Sequence, residues 1–476
     1  MAERGLMSRR LPIFAPWVWA VLAAQLLLFG LFLVNWYLPM ALVTAVLVVL
    51  AGLSRPLVVV AFLLSTRILS TGSMSWLRIG GLNIGLFEPM LLLAIVALAV
   101  YALNHRMPVV KPFPWLTPVL VFAFWQVLGL SWSHQVGTGL QDVVAVAVIL
   151  VTTTTILIFV RTLDDFMAMS WVWILATVLM AILSIATNFN EVASVGKTWE
   201  IAAQGGRETG LGQQPNWFAM HLMFSVLLCV ALAVIQKKTS KRLLLLGLAL
   251  FIFYAQLRSG SRGGAYAIVI GSALMAASNP QIRKWFLRFL VVAVVLFGLG
   301  MLFGADSTNR AFNRIWMNMG MLWRSDVRFR NWAVCIEMFD NTLGRGVGPG
   351  GYAQWLESYD WKLYTSVHRY PHGILWGLMA HYGLVGLVCA VWLIKKVATM
   401  ARELRDAARG TLAEPFAWAM PATMLAYGAW SMVEFSFDDK PFWEFLALYT
   451  SLYMVMVKGK ELPVALVHPV EEKSDG

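Results

Sequence analysis

Long apolar runs separated by brief polar turns fill most of this chain. They fall at about residues 17–36, 39–53, 57–70, 84–103, 115–131, 138–160, 167–186, 216–235, 243–257, 264–277, 285–303, 372–394, 413–433 and 442–457. The runs are continuously apolar, whereas a membrane strand would alternate polar and apolar positions over roughly ten residues. The pattern therefore predicts helices that cross a bilayer, because a helix satisfies its own backbone groups in hydrocarbon. Several runs are shorter than the ~20 residues of a full crossing. Those at 57–70 and 264–277 are the weakest, and if one adjacent pair re-enters rather than crosses, twelve crossings remain instead of fourteen. The expected fold is all-α, a polytopic transmembrane helical bundle of 12–14 helices.

Composition supports this. The 476 residues are 59% hydrophobic and 13% charged, against about 25% charged in an ordinary soluble domain. No leader-type cleavage site follows the first run, which reads as a spanning helix. The net charge of +12 would suggest nucleic acid as the partner of a soluble protein. Here it mostly sets orientation. Arg9–Arg10, Arg55, Arg106, Arg161, Lys237–Lys238, Lys241–Arg242, Arg283–Lys284 and Lys395–Lys396 mark every turn on one side, which the positive-inside rule makes cytoplasmic. Both termini fall on that side. Residues 1–476 form one integral membrane domain, with long outer loops at 188–215 and 304–371 and a short polar inner tail at 458–476. Cys229 and Cys389 lie in apolar helices and Cys335 stands alone in an outer loop, so neither a disulfide framework nor a cysteine metal site is indicated.

Among the arginines on the side where orientation does not require them, six stand in or beside candidate motifs: Arg207, Arg258, Arg262, Arg328, Arg330 and Arg369. In GGRETGLGQQPNWFAMHLMF, around 205–224, Arg207 precedes a helix for which Asn216 is a candidate N-cap. It has Glu208, a headgroup or a ligand as possible partners. In QLRSGSRGGAYAIVIG, 256–271, glycine and serine suit a tight turn, but two arginines four residues apart exceed what a turn needs. Arginines at membrane depth are expensive; they face a cavity or partner, or snorkel to the interface. The stretch 326–355 reads as a helix over 328–340 with Trp332, Ile336 and Phe339 as its apolar stripe. A GRGVGPGG run follows. It lies after no strand and opens no clear helix, so it matches a phosphate-binding loop poorly.

In SVHRYPHGILWGLMAHYGLVG, 366–386, Pro371 suits a first helical turn and puts His372 at a helix start. A histidine there titrates near neutrality and can serve as general base. His368 is four residues away, but the pair straddles Pro371 with no carboxylate ligand nearby, so no metal is expected. His381 lies deeper in the same helix, as a buried polar residue or a supporting partner. Glu434, Asp438 and Asp439 in VEFSFDDKPFWEF either pair with the arginines or are solvated.

Taken together, Arg207 with Pro215–Asn216, Ser261-Arg262-Gly263, Arg328 four before Trp332, Gly344-x-Gly346-x-Gly348, and Pro371-His372 leading to Gly383-Leu384-x-Gly386 resemble the O-antigen ligase and polymerase superfamily of bacterial inner-membrane glycan transferases. The resemblance covers roughly residues 200–450. It implies a GT-C-like fold with the outer loops in the periplasm, and en bloc transfer of a glycan from an undecaprenyl-diphosphate donor to an acceptor hydroxyl, without a metal or other cofactor. On this resemblance Arg207 and Arg262 would hold the diphosphate and His372 would activate the acceptor. Arg258, Arg328, Arg330 and His381 would take supporting, substrate-binding places. Gly373 departs from the family's polar residue after the motif histidine, and His381 stands where a Glu is common. Ligation of O-antigen to lipid A–core is the leading expectation, with repeat-unit polymerisation next. A flippase or transporter for a lipid-linked sugar is the alternative of another class. A peptidoglycan-type polymerase would need a catalytic Asp, for which only Asp326, Asp340 and Asp360 offer themselves.

Overall fold

A computed structural model describes residues 55–69, 77–79, 82–84, 87–104, 112–186, 215–303, 327–358, 371–432, 434 and 440–459, with isolated helical positions at 19, 21, 23 and 25. Twelve of the fourteen expected spans appear as helices: α1 Pro56–Leu69, α2 Phe87–Asn104, α3 Leu116–Gly129, α4 Val136–Phe159, α5 Leu163–Ala186, α6 Pro215–Ile235, α7 Thr239–Arg258, α8 Arg262–Ser278, α9 Pro280–Phe303, α12 Ile374–Ala408, α13 Glu414–Ser431 and α14 Lys440–Met456. The outer segment adds α10 Val327–Asn341 and α11 Tyr352–Ser358. Both weakest spans, α1 and α8, are helical. The spans expected at 17–36 and 39–53 lie outside the described residues, those isolated positions apart. Between α1 and α2 is an element that hydropathy did not predict, a hairpin of β1 Leu77–Ile79 and β2 Leu82–Ile84 paired antiparallel. Among the described residues, five helices are long and apolar enough to cross a membrane: α4, α5, α6, α7 and α12.

α6 is apolar on all sides and is buried almost throughout, the position such a helix must take. α5, α7, α8 and α13 surround it. Close approach is made possible by small residues: a side chain at Gly271 would lie 2.8 Å from Leu227 of α6 and 3.1 Å from the Ala422 carbonyl of α13. Trp115, Trp173, Trp430 and Trp443 are fully buried among these helices. The Trp115 indole is satisfied by a 2.8 Å hydrogen bond to Thr450 Oγ1. α12 runs beyond the span read from hydropathy, which ended near 394. Its extension is amphipathic: Val397, Met400, Ala401, Leu404 and Ala408 are buried, and a charged face is left to solvent.

α12 is broken at Gly383, where φ is 63° and ψ −150°, a conformation essentially confined to glycine. The break frees backbone groups, and the GRGVGPGG segment takes them up. Val347 N donates to Ala380 O at 2.8 Å, Gly348 N to His381 O at 2.9 Å, and Leu384 N to Gly344 O at 2.8 Å. On its other side the segment meets the corner between α3 and α4, where Ser133 Oγ donates to Pro349 O at 2.7 Å and Trp132 Nε1 to Gly346 O at 3.2 Å. Backbone packs so closely that a Cβ at Gly346 would lie 2.6 Å from both Gly383 N and His381 O. Gly383→Ala should therefore cost about 3 kcal/mol or more, by adding strain in the disallowed region to a backbone clash. Gly410→Ala, at φ 73° with open space around it, should cost only about 1 kcal/mol. Thermal unfolding of the purified protein in detergent checks this; equal losses would show that the clamp contributes nothing beyond backbone strain.

Candidate functional site

Chain direction reverses at the short turns, so α6, α8 and α12 begin, and α13 ends, at one end of the bundle. Pro371, His372 and Gly373 form the turn before α12 rather than its first turn, as the sequence suggested. Gly373 is the N-cap, at φ 101°. A side chain at 373 would lie 2.7 Å from Met432 O and 3.0 Å from Trp376. A glycine is thus the residue this turn admits. The His372 carbonyl accepts a hydrogen bond from Trp332 Nε1, and the Trp332 ring stacks on Trp376 at 5.4 Å.

The His372 ring is buried, 5% exposed, with Nδ1 3.6 Å from Oε2 of Glu434, itself 2% exposed. That is ion-pair rather than hydrogen-bond distance. Glu434 Oε1 accepts from the Asn216 side chain. Asn216 is therefore not the N-cap of α6. It is the second residue of a helix that begins at Pro215, and its amide reaches across to the carboxylate following α13. Among the partners described for Glu434 are a histidine and an amide. A buried carboxylate needs such partners, because an uncompensated one is expensive. Chemically, a carboxylate beside Nδ1 holds the imidazole in orientation and favours the tautomer whose Nε2 is basic.

Arg262 opens α8. Ser261 caps the helix by accepting from Gly264 N at 3.4 Å. The buried Gln256 side chain locks the turn by donating to Ser261 O at 3.1 Å. Nη1 of Arg262 is buried and has no hydrogen-bond partner among the described residues. The turn presses on α6: a side chain at Gly264 would lie 2.7 Å from Ala219. Ala219 is one helical turn after Asn216, on the same face. Arg262 and His372 thus flank the same first turn of α6.

The other candidates divide. Arg258 is half-buried at the end of α7, four residues before Arg262. Arg330 is exposed on α10, and Arg328 is one turn before Trp332 on the same helix. The buried stripe of α10 is Asn331, Val334, Cys335 and Met338; Ile336, expected inside, is 44% exposed. Burial pushes the Cys335 thiol up to about 12, so it is not a nucleophile. His381 stacks on Tyr352 at 5.7 Å, beside the glycine segment rather than in contact with His372. Asp340 is exposed. Arg207, His368, Arg369, Asp326, Asp360, Asp438 and Asp439 lie outside the described residues.

The glycine segment runs into α11, which the sequence did not reveal. It is nonetheless no phosphate cradle, since the amides of Gly344, Arg345, Gly346, Val347 and Gly348 all donate within the protein. One polar pair escaped sequence reading altogether. Arg67 Nε of α1 lies 3.3 Å from Glu444 Oε1 of α14, with the guanidinium against the Phe87 ring. An arginine near the end of an apolar run and a glutamate inside another were its signal.

The apolar bundle and its buried polar end define the class as a helical membrane protein. No protein-family model matches the chain, and no curated protein matches it.

Gly373→Ser should destabilise the protein by roughly 2–3 kcal/mol, through backbone strain and collision with the Met432 carbonyl. Thermal unfolding of the purified variant measures it; a melting temperature equal to the parent's would show that the turn accepts a side chain.

Proposed function

We propose that the protein transfers a glycan from an undecaprenyl-diphosphate donor to an acceptor hydroxyl at the periplasmic face of the bacterial inner membrane, and that its reaction is O-antigen ligation to lipid A–core. The observation that carries the proposal is a buried His372–Glu434–Asn216 chain beside the first turn of α6, with an arginine nitrogen lacking a described partner across that turn. In this reading His372 Nε2 takes the proton of the acceptor hydroxyl. The acceptor oxygen bonds to the anomeric carbon, the carbon–oxygen bond to the diphosphate breaks, and its electron pair leaves with the phosphate. Arg262, with Arg207, stabilises the charge that develops there through charge-assisted hydrogen bonds. Arg258, Arg328 and Arg330 add positive field on the approach, and His381 supports the loop from behind. A single displacement inverts the anomeric centre; no pair of carboxylates flanks the described site as a double displacement would need. A flippase would instead line both halves of its path with polar groups. Here the polar groups gather at one end.

Purified protein in nanodiscs, given polymer-loaded lipid donor and lipid A–core, should form the ligated product. His372→Ala should lower turnover by about a hundredfold or more with donor binding retained, and Arg262→Gln by about a hundredfold. Near-parental turnover of H372A would refute the base role. Growth of the lipid-linked polymer without transfer to core would replace ligase by polymerase.

A further inference from the structure

The end of the bundle opposite the site holds a second feature, a cavity of about 370 Å³ between α6, α7, α8 and α9. Its walls are apolar, with Val226, Leu246, Phe253, Ile268 and Phe289 among them, and its rim carries Arg242, Arg288 and Trp285. The volume is at the small end of ligand sites, which span about 300–1,000 Å³. α7 has Leu243 and Leu250 at the cavity, 62% and 49% exposed, so the walls continue onto the apolar outside of the bundle.

The rim explains why an apolar ligand here would carry negative charge. Arg242 is anchored, not loose. Its Nη2 donates to Gln236 O at 2.7 Å and its guanidinium lies 5.7 Å from the Trp285 ring centre. Its Nε is buried and has no hydrogen-bond partner among the described residues. Arg288 is exposed one turn deeper into α9 than Arg283 and Lys284, at a depth where a cation is costly unless it meets a headgroup. Lys237, Lys238 and Lys241 stand on the adjoining turn and give this end the charge that marks the cytoplasmic side. Anionic phospholipids of that leaflet attract such clusters, and basic pockets between helices bind their headgroups.

We infer that this cavity is a binding site for an anionic phospholipid of the cytoplasmic leaflet, an acyl chain occupying the apolar space and the phosphodiester meeting Arg242 and Arg288. The site is distinct from the one assigned above and does not depend on the activity proposed for it.

The test is native mass spectrometry of the full chain released from detergent with phosphatidylglycerol or phosphatidylcholine added. The parent should retain one phosphatidylglycerol preferentially over phosphatidylcholine, and Arg242→Gln/Arg288→Gln should reduce that retention about tenfold. Ala249→Phe, which fills the cavity and leaves both arginines in place, should reduce it as well, and keeps the test open if the double variant fails to fold. Glycerol phosphate, which offers the anion without the chain, should not displace the bound lipid. Equal retention of both lipids, retention unchanged in the variants, or displacement by glycerol phosphate would overturn the inference.

Discussion

The break in α12 at Gly383 is the constraint on which the polar end of this protein depends. Backbone groups released inside a bilayer-spanning bundle have no water to turn to, and each left unsatisfied costs several kcal/mol. The carbonyls of Ala380 and His381 and the amide of Leu384 are exposed by that break, and all three are met by one segment, Gly344–Gly348. The segment can approach because its alternate residues are glycines at positive φ, from 75° at Gly344 to 87° at Gly348. Broken helix and glycine segment therefore require each other. The contact also fixes the end of α10, which precedes the segment directly, and α10 carries the tryptophan that bonds the His372 carbonyl.

This dependence gives the polar site its rigidity. His372 stands in a turn held from three directions: by Trp332 on its carbonyl, by the Met432 carbonyl against Gly373, and by Glu434 beside its ring. Trp332 comes from α10 and the other two from the end of α13, so the imidazole is oriented by the packing of separate elements of the bundle. Preorganisation of this kind is what a proton acceptor needs, since a positioned base contributes only within hydrogen-bond reach of its proton. Arg262 is held in a comparable way. Its turn is locked by Gln256 and Ser261, and the guanidinium emerges from a helix N-terminus, where the backbone dipole adds to the attraction for an anion.

Hydropathy made the bundle legible because a spanning helix is defined almost entirely by length and apolar composition. Twelve spans came within a few residues of their helices at most ends, and the one large error, at the C-terminal end of α12, arose where an amphipathic face took over from a uniformly apolar one. The candidate site was legible in parts. His372 and Arg262 stood out as polar residues at helix starts on the side where orientation does not call for charge. Their mutual arrangement did not. That Asn216 reaches Glu434 rather than capping its own helix is a tertiary choice between two satisfactory hydrogen bonds, and no local pattern decides it. Nor does local pattern show that a glycine run with the look of a phosphate loop has its amides committed to a helix break far along the chain. The stripe of α10 was misassigned for a related reason: Trp332 faces the His372 turn while the core takes Val334, Cys335 and Met338.

Arginine placement separates the two ends of the molecule in physical terms. On the basic side, charge is abundant and mostly exposed, as in Arg283, Lys284, Lys395 and Lys396, and its work of orienting the chain needs no particular geometry. Some cations there are nonetheless held: Arg242 is anchored to the Gln236 carbonyl and braced on Trp285, and Arg161 to the Ile158 carbonyl and braced on Tyr101. On the opposite side some arginines are likewise held in place. Arg67 is bonded to Glu444, and Arg262 projects from a locked turn with Nη1 buried. Arg67 meets the Glu444 carboxylate through Nε and the Phe87 ring with its guanidinium, and so ties α1 to α14. Arg262, whose turn is locked by Gln256 and whose Nη1 has no hydrogen-bond partner among the described residues, is the one we propose meets the donor phosphate.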